Sequence, residues 1–424
     1  MRSFMRPACL VLLLALPAYG QELAEPLSLT EALDEALSRH PDLIVLRREY
    51  DAARAVPAQE RYLAAPSFEA QIWAWPVTTL NPLRTDMYML TVEQELPGRG
   101  KRASRALLAE READVARREI TVRANDILDE VRQAYADLTL ARETVILYER
   151  QVPVLRDLAE AATVRYAAGH AEQHDTVSPL VELFRLQADA ITWRARVRSE
   201  EARLNTMLGR PVGRSVEPLM PMMLTAIPFN PEEAALERHP AMALAAAEIA
   251  REEAELARLQ GDRRPDFVVG GGYMITPGDA GAWTARAGIT WPNAPWSRGR
   301  LDAAIDAQMR RIAAAAARLE AIASAIRRGV YEAQVGIEAA NQRAELIVTT
   351  LMPHVHHAFD VSRAAYSAGG ADFADIINGQ RAVLAVEVEY VAAQAEVALA
   401  LAGLDRAMGS VREEPLPARP GEQP

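Results

Sequence analysis

A regular spacing of apolar and small residues runs through one stretch of the chain, from Arg99 to Gly169. From Ile120 onward these residues follow one another at alternating steps of four and three, which keeps one face of a helix against its neighbour through left-handed supercoiling. The stretch predicts a helix over 99–168, about 105 Å long at the usual rise per residue. This length excludes an ordinary globular helix. A solvent-spanning coiled coil is the alternative that the spacing leaves open.

The same pattern occurs a second time, beginning at Leu319 and including His354 as its one polar member. Independent landmarks also recur, at offsets of 199 or 200 residues. They are Arg39-His40-Pro41 with Arg238-His239-Pro240, Pro66 with Pro265, Arg99-Gly100 with Arg298-Gly299, Pro153 with Pro353, Tyr166 with Tyr366, Gly169 with Gly369 and Gly209 with Gly409. So many landmarks at nearly one offset predict a tandem duplication.

The duplication divides the chain into two copies of one helical unit. The first repeat, 21–209, is predicted to contain a helix, a β-hairpin at 67–96, the long helix 99–168 and a return helix at 175–208. The second repeat, 232–409, is predicted to contain a helix, a β-hairpin at 266–292, a long helix at 298–367 and a return helix at 372–408. A Pro-rich linker, 210–231, joins the repeats, and the Pro-rich tail 410–424 is predicted to be disordered.

The N-terminus has the features of a secretory signal peptide, residues 1–20. Two arginines precede an apolar run, and Ala18-Tyr19-Gly20 supplies small residues before a cleavage point at Gln21. Cys9, the single cysteine, lies in that run, so the mature chain is predicted to have no disulfide and no thiolate metal site. No later apolar stretch reaches the roughly 20 residues of a spanning helix, so entry into a membrane would require a closed β-barrel.

Alternating apolar and polar residues in both hairpins predict membrane strands. The second hairpin has an apolar face with a Trp at each end and an opposite face with Thr and Arg, which is typical of lipid-facing barrel strands. The expected membrane-interface aromatics are Trp73, Trp75, Trp283 and Trp291. Four strands per chain cannot close a barrel, so several copies would have to contribute to one sheet. A small soluble sheet that caps the helices is the alternative.

Charge and motif content exclude other classes of protein. The net charge of −11 at pH 7, without basic clusters, argues against nucleic acid as a partner. No nucleophile motif surrounds Ser178 or Ser324, and Gly270-Gly271-Gly272 lies inside a predicted strand rather than between a strand and a helix. We therefore predict a protein that is not an enzyme and that uses no cofactor.

Three groups of residues resemble the TolC-like outer-membrane efflux proteins, and among them the CzcC- and CusC-like members of heavy-metal exporters. They are the opening segments Leu29-Thr30-Glu31-Ala32-Leu33 and Arg39-His40-Pro41-Asp42-Leu43, the strand exit Leu96-Pro97-Gly98-Arg99-Gly100-Lys101-Arg102, and the Tyr-x-x-Gly sequences at the predicted tips. The resemblance covers nearly all of the mature chain.

The resemblance implies a mainly α fold with a membrane β-barrel part. Three chains would form a homotrimer with a twelve-stranded barrel in the outer membrane lipid of a Gram-negative bacterium and a twelve-helix tunnel that extends into the periplasm. The implied partners are a periplasmic adaptor protein and an inner-membrane efflux pump of RND type. The protein would be a passive duct for heavy-metal cations. Export of drugs or polypeptides is the alternative within the family, and an exported soluble coiled-coil scaffold is the alternative from another class.

The resemblance also implies site residues near the periplasmic entrance. Acidic residues just after the second tip form cation-binding rings in the family, and the spacing from Gly369 places Asp375 at one such position. Asn378 stands where a second acid is common, and Asp372 is the other candidate for a second ring. The implied adaptor-docking tips are Tyr166, Gly169, Tyr366 and Gly369. Without the resemblance, Asp372 and Asp375 are explained as caps of the return helix.

Histidines are concentrated near the predicted tips. The pairs His170 with His174 and His354 with His357 have spacings that place imidazoles on one helix face, and imidazole binds Zn, Cu and Ni. His354 is distinguished because it alone occupies the apolar stripe. No cysteine or paired carboxylate completes a closed site, so solvated or pH-responsive tip residues are the alternative to metal ligands.

Overall fold

The computed structural model describes residues 25–73, 77–78, 81, 85–169, 172–219, 230–368, 370 and 372–409. The predicted signal peptide and the predicted disordered tail lie outside the described residues, as do Trp75, His170 and Gly369.

Long helices dominate the described part of the chain. The helices are α1 (Leu29–Arg39), α2 (Pro41–Ala53), α3 (Val56–Glu60), α4 (Lys101–Ala167), α5 (Gln173–Met207), α6 (Pro231–Arg238), α7 (Pro240–Gly261), α8 (Arg298–Leu346), α9 (Met352–Ser367) and α10 (Phe373–Met408). The strands are β1 (Glu25–Leu27), β2 (Ser67–Trp73), β3 (Met87–Leu96), β4 (Val216–Pro218), β5 (Asp266–Ile275) and β6 (Ala282–Thr290). A π-helical turn, Ile347–Leu351, joins α8 to α9. None of the described helices is both long and apolar enough to cross a membrane.

Helix α4 is the central element and contains 67 residues, about 100 Å at the usual rise. It packs against α5, α7 and α10, while α8 packs against α7 and α10. The apolar stripe predicted in this helix is confirmed, since Ile127, Val131 and Leu138 are completely buried. Apolar side chains from α1, α2 and α5 close the core around them.

The second long helix covers the predicted range 298–367 without a break but contains a π turn, which the sequence pattern does not predict. In the π turn the backbone N–H of Met352 donates to the carbonyl of Ile347, five residues earlier instead of four. The buried stripe along α8 extends to Ile347 in the π turn, and its next inward residue is half-buried Met352. The extra residue coincides with the change in landmark offset from 199 at Arg298 to 200 at Pro353.

Beyond the π turn, the predicted apolar stripe is wrong by one residue. Val355, Phe359 and Tyr366 pack against the apolar clusters, whereas His354 and Val361 are exposed. A π turn contains one more residue than an α turn, so every inward position after it shifts by one. His354 therefore does not occupy the buried stripe, and the feature that distinguished it from the other tip histidines is absent.

The repeated Arg-His-Pro motif starts two helices. At α2, the Nδ1 atom of His40 accepts the backbone N–H of Asp42 at 3.2 Å, and at α7 His239 accepts that of Ala241 at 3.1 Å. An unprotonated imidazole nitrogen thus replaces the more usual Ser or Asp oxygen of a helix N-cap. Burial lowers the pKa of His40 and the pKa of His239, which favours the neutral form that these caps require.

A parallel pair of short strands, β1 and β4, was not predicted. Strand β4 lies in 210–231, which the sequence pattern predicts as linker. The fully buried Tyr135 of α4 lies beneath the pair, with its hydroxyl 2.9 Å from the Leu27 carbonyl and 2.7 Å from the Leu219 carbonyl. The N-terminal segment is thereby attached to the chain that follows α5.

Candidate functional site

One face of the four-stranded antiparallel sheet is apolar and exposed. The strands are ordered β2-β3-β5-β6, and the register aligns Leu90 with Tyr273 and Tyr273 with Trp283. Phe68 is 80% exposed and Trp283 is 84% exposed. The other large apolar side chains of this face are Ile72, Tyr88, Val92, Leu96, Phe267, Val269, Ile275 and Ile289. A contiguous exposed apolar surface of this kind marks contact with lipid or with another protein.

The opposite face of the sheet is polar. Here Arg286 of β6 reaches across β5 to Glu93 of β3, with its Nη1 atom 2.6 Å from the carboxylate, and Thr91 and Thr284 lie on the same face. Trp73 also belongs to this face, because its strand position alternates in phase with Gln71, to which its Nε1 donates at 2.9 Å. Of the predicted interface aromatics, Trp283 therefore lies on the apolar face and Trp73 on the polar face, while Trp291 follows the last residue of β6.

The two outer strands of this sheet each have one partner strand among the described residues. Strand β2 pairs with β3, and β6 pairs with β5. Their outer edges present backbone N–H and C=O groups, which is the usual template for adding a strand from another chain. The sheet is therefore extendable at both ends.

The helix tips at the far end of the molecule meet around Tyr366, near the end of α9. The Arg165 guanidinium lies 4.2 Å from the centre of the Tyr366 ring and donates to the Tyr366 carbonyl at 2.8 Å. Phe373, the first residue of α10, contacts the ring edge to face at 5.4 Å. Burial raises the pKa of Tyr366, and its hydroxyl makes no hydrogen bond to any of the described residues. Tyr166 of the first tip is 47% exposed, so the two predicted tip tyrosines differ in environment.

The predicted gate residues lie at the start of α10. Asp372 is the N-cap residue by backbone conformation, but its side chain makes no capping hydrogen bond. Asp375 is in the first turn, and both Asp375 and Asn378 are exposed. The capping explanation therefore does not account for the Asp372 carboxylate. It does account for Asp175 on α5, whose Oδ2 atom accepts the backbone N–H of Glu172 at 3.1 Å.

The structure separates the candidate metal ligands. His354 and His357 are exposed on α9, and Nδ1 of His354 is engaged with the Thr350 carbonyl at 2.6 Å. Among the described residues, His174 is the one histidine whose ring lies in a group of three or more possible metal ligands, together with Asp175 and Asp372. The sequence analysis places Asp175 only at the start of the predicted return helix 175–208.

A groove of about 950 Å³ that the sequence did not predict lies between α4, α7, α8 and α10. Arg406 of α10 crosses it, with Nη2 2.9 Å from Asp126 and Nη1 3.4 Å from Asp129, both on α4. The Asn125 side chain donates to the Arg406 carbonyl at 3.0 Å. These contacts hold the end of α10 against the middle of α4.

Comparison with known proteins gave a family and several similar structures. The model of the family described as outer membrane efflux protein matches residues 32–210 and 233–410. The cobalt-zinc-cadmium resistance protein CzcC of Cupriavidus metallidurans is 23% identical over 398 residues, covering 93% of this chain and 92% of CzcC. The outer-membrane channel OprN superposes with a TM-score of 0.75 at 19% identity, covering 90% of this chain and 89% of OprN. CusC superposes with a TM-score of 0.75 at 14% identity, covering 90% of this chain and 91% of CusC.

Proposed function

The chain belongs to the outer membrane efflux protein family, and from this premise we propose that it is the outer-membrane channel of a three-component exporter of heavy-metal cations. The protein is located in the outer membrane of a Gram-negative bacterium. The observation that carries the metal proposal is the similarity to a metal resistance protein over nearly the full length of both chains. A transport channel needs no reacting groups, so we assign no catalytic residue.

The sheet is the membrane part of the proposed channel. Its exposed apolar face, which includes Phe68, Leu90 and Trp283, contacts lipid, and its polar face lines the pore. In lipid an open sheet edge leaves backbone groups unsatisfied at a cost of several kcal/mol each, so the outer edges of β2 and β6 must pair with other chains. Three copies close one twelve-stranded barrel in a homotrimer. The family match in two segments, 32–210 and 233–410, supports the tandem duplication on which this arrangement is based.

The helices continue the pore as a tunnel of twelve helices into the periplasm. The tips, with Tyr166, Gly169, Tyr366 and Gly369, dock on a periplasmic adaptor protein. The adaptor connects the channel to an inner-membrane pump of RND type, which supplies the energy, while the channel itself is passive.

The acidic residues at the start of α10 form the periplasmic gate. In a trimer, three copies of the exposed Asp375 surround the axis, attract cations and repel one another. Asp372 contributes a second ring, whereas Asn378 adds polarity without charge. This gate favours cationic over anionic cargo.

Growth of a deletion strain tests the proposal. The strain is grown with cobalt, zinc, cadmium, copper and nickel, and separately with dyes and antibiotics, and is complemented with the wild type or with an Asp375→Ala variant. We expect sensitivity to metals that the wild type reverses and that Asp375→Ala reverses incompletely at the same amount of trimer. Asp360→Ala is the matched control, because Asp360 is exposed on α9 and pairs with Arg363 at 3.5 Å.

The outcomes separate the parts of the proposal. Sensitivity to dyes and antibiotics alone would refute a metal cargo and leave an exporter of organic compounds. Sensitivity to neither group, together with monomeric protein in the soluble periplasmic fraction, would refute the channel itself. Equal complementation by Asp375→Ala and Asp360→Ala would refute the gate assignment.

A further inference from the structure

We propose that His174, Asp175 and Asp372 form a binding site for one divalent transition-metal ion per chain, which connects the start of α5 to the start of α10. We call these three residues the tip cluster. The site is formed within a single chain and is distinct from a ring of Asp375 residues around a trimer axis.

The distances within the tip cluster fit a small metal ion. The Nε2 atom of His174 lies 3.0 Å from Oδ1 of Asp175 and 4.0 Å from Oδ1 of Asp372, and all three ligand atoms lie within 4.8 Å of one another. In a tetrahedral site with bonds of about 2.1 Å, two ligand atoms are about 3.4 Å apart. The two distances from His174 bracket this value, so rotations of exposed side chains are sufficient to complete the geometry.

The carboxylate of Asp175 is the observation that indicates a ligand. Its side chain is 9% exposed, and its Oδ2 atom is held by the backbone N–H of Glu172. This hydrogen bond directs the buried Oδ1 atom toward Nε2 of His174, 3.0 Å away, and Oδ1 accepts no hydrogen bond from the residues that the structure describes. A buried acceptor without a donor is costly and rare in native proteins. A bound cation would satisfy this oxygen.

The two ring nitrogens of His174 lie close to different carboxylates. Its Nδ1 atom faces the Glu172 carboxylate at 3.3 Å, so a proton on Nδ1 leaves the lone pair of Nε2 free, 3.0 Å from Asp175 and 4.0 Å from Asp372. A carboxylate that holds the distal nitrogen of a metal-binding histidine is a common feature of zinc sites. One imidazole, two carboxylates and a water are suited to Zn²⁺ and Co²⁺ rather than to thiolate-preferring Cu⁺.

One cation near the tip cluster, Arg165, is engaged with Tyr366. Arg165, the cation that stacks on Tyr366, donates to the Tyr366 carbonyl. A metal ion would therefore neutralise the two clustered carboxylates and link the two helix tips directly. The binding site does not depend on the proposed function. Only its role depends on that function, namely that the metal ion holds the two tips together while metal cargo is present.

Zinc binding by the purified full chain tests the site. The detergent-solubilised protein carries no polyhistidine tag, is stripped with a chelator, and is titrated with Zn²⁺ against a chromophoric competitor. We expect one site per chain in the wild type and an affinity reduced by about tenfold or more in His174→Ala and in Asp372→Asn, because loss even of a group that only supports a metal ligand costs about 10–100-fold. His357→Ala is the matched control, since His357 is exposed on α9 outside the tip cluster, and its affinity should equal that of the wild type.

Two results would overturn the site. One is a wild-type affinity no higher than that of His174→Ala, and the other is an equal loss in His357→Ala, which would indicate nonspecific binding by surface histidines. Both substitutions in the tip cluster replace exposed side chains, and unchanged circular dichroism and trimer content exclude misfolding as the cause. If the deletion strain is sensitive to metals but the purified protein binds no zinc, the tip-cluster site is refuted and the metal exporter remains. If the purified protein binds zinc but the strain is sensitive only to organic compounds, the metal exporter is refuted and the site remains.

Discussion

Removing one residue from the π turn, by deletion of Thr349, is expected to leave the protein folded. The turn contains one residue more than an α turn and closes through the hydrogen bond from Met352 to Ile347. Deleting the exposed Thr349 converts it to an ordinary α turn, and Met352 and Val355 keep their inward direction. We expect the free energy of unfolding to stay within about 1 kcal/mol of the wild type, as for other surface changes.

Deletion of Glu332, an exposed residue within α8, is the matched control and is expected to be severe. Each residue turns an α-helix by about 100°, so one side of the deletion must rotate away from its partners. The N-terminal side contains buried Ile326 and Val330, and the C-terminal side contains buried Ile337 and Ile347. Either way two large side chains leave the core, at about 1.5–3 kcal/mol each, or about 3–6 kcal/mol in total. That is a large part of the roughly 5–15 kcal/mol that stabilises a folded domain.

Both deletion variants are assayed for the amount of folded trimer in the outer membrane and for thermal unfolding by circular dichroism in detergent. The wild type and the Thr349 deletion should unfold at similar temperatures, whereas the Glu332 deletion should yield little folded protein. If the Thr349 deletion were as damaging as the Glu332 deletion, the interpretation that the π turn absorbs one extra residue would be refuted. The one-residue shift of the inward-facing positions in α9 would then need another explanation.

Two further predictions concern the starts of helices and the glycines that pack against them. Burial lowers the pKa of His40 and that of His239 below the ordinary value of 6.5. The contribution of these two histidines to stability is therefore present above about pH 6.5 and is lost as the pH falls through the folded-state pKa. A double His→Asn variant keeps a capping oxygen at each helix start, so its unfolding temperature should depend less on pH between pH 7 and 5. An unchanged pH profile of the unfolding temperature would contradict the imidazole caps. Gly409→Ala should destabilise by about 2–5 kcal/mol, because its φ is +67° and a Cβ would lie 2.6 Å from Pro240. Gly209→Ala should lower the free energy of unfolding by only about 1–2 kcal/mol in the same denaturation experiment, because its φ is +64° but an added Cβ would lie 3.1 Å from its nearest neighbour atom. Equal losses in the two variants would refute the argument that the clash with Pro240 adds to the cost at Gly409.

Much of the architecture follows from local patterns in the sequence. The heptad spacing predicts α4 and its buried stripe, since a helix that packs along its whole length needs an apolar residue at every contact. The alternation around Tyr273 and Trp283 predicts the two-faced strands, because successive strand residues point to opposite sides of the sheet. Landmarks such as Arg39-His40-Pro41 predict the tandem duplication, and the family resemblance is carried in part by these same segments.

Contacts between distant parts of the chain were decided only by the tertiary structure. Strands β1 and β4 have three residues each, too few for alternation to be recognised, and they exist because Tyr135 and the surrounding helices bring them together. The landmark offsets indicate an extra residue in the second half, but only the backbone places it in the π turn, which moves His354 out of the buried stripe.

The tip cluster shows the same division between sequence and fold. His174 and Asp175 are neighbours in the chain, but Asp372 is almost 200 residues away, and nothing in the spacing of either segment connects them. The sequence alone determined which residue types occupy the two helix starts. The packing of α9 and α10 against α4 and α5 decided that those starts meet, because side-chain packing between helices sets distances that local periodicity does not contain.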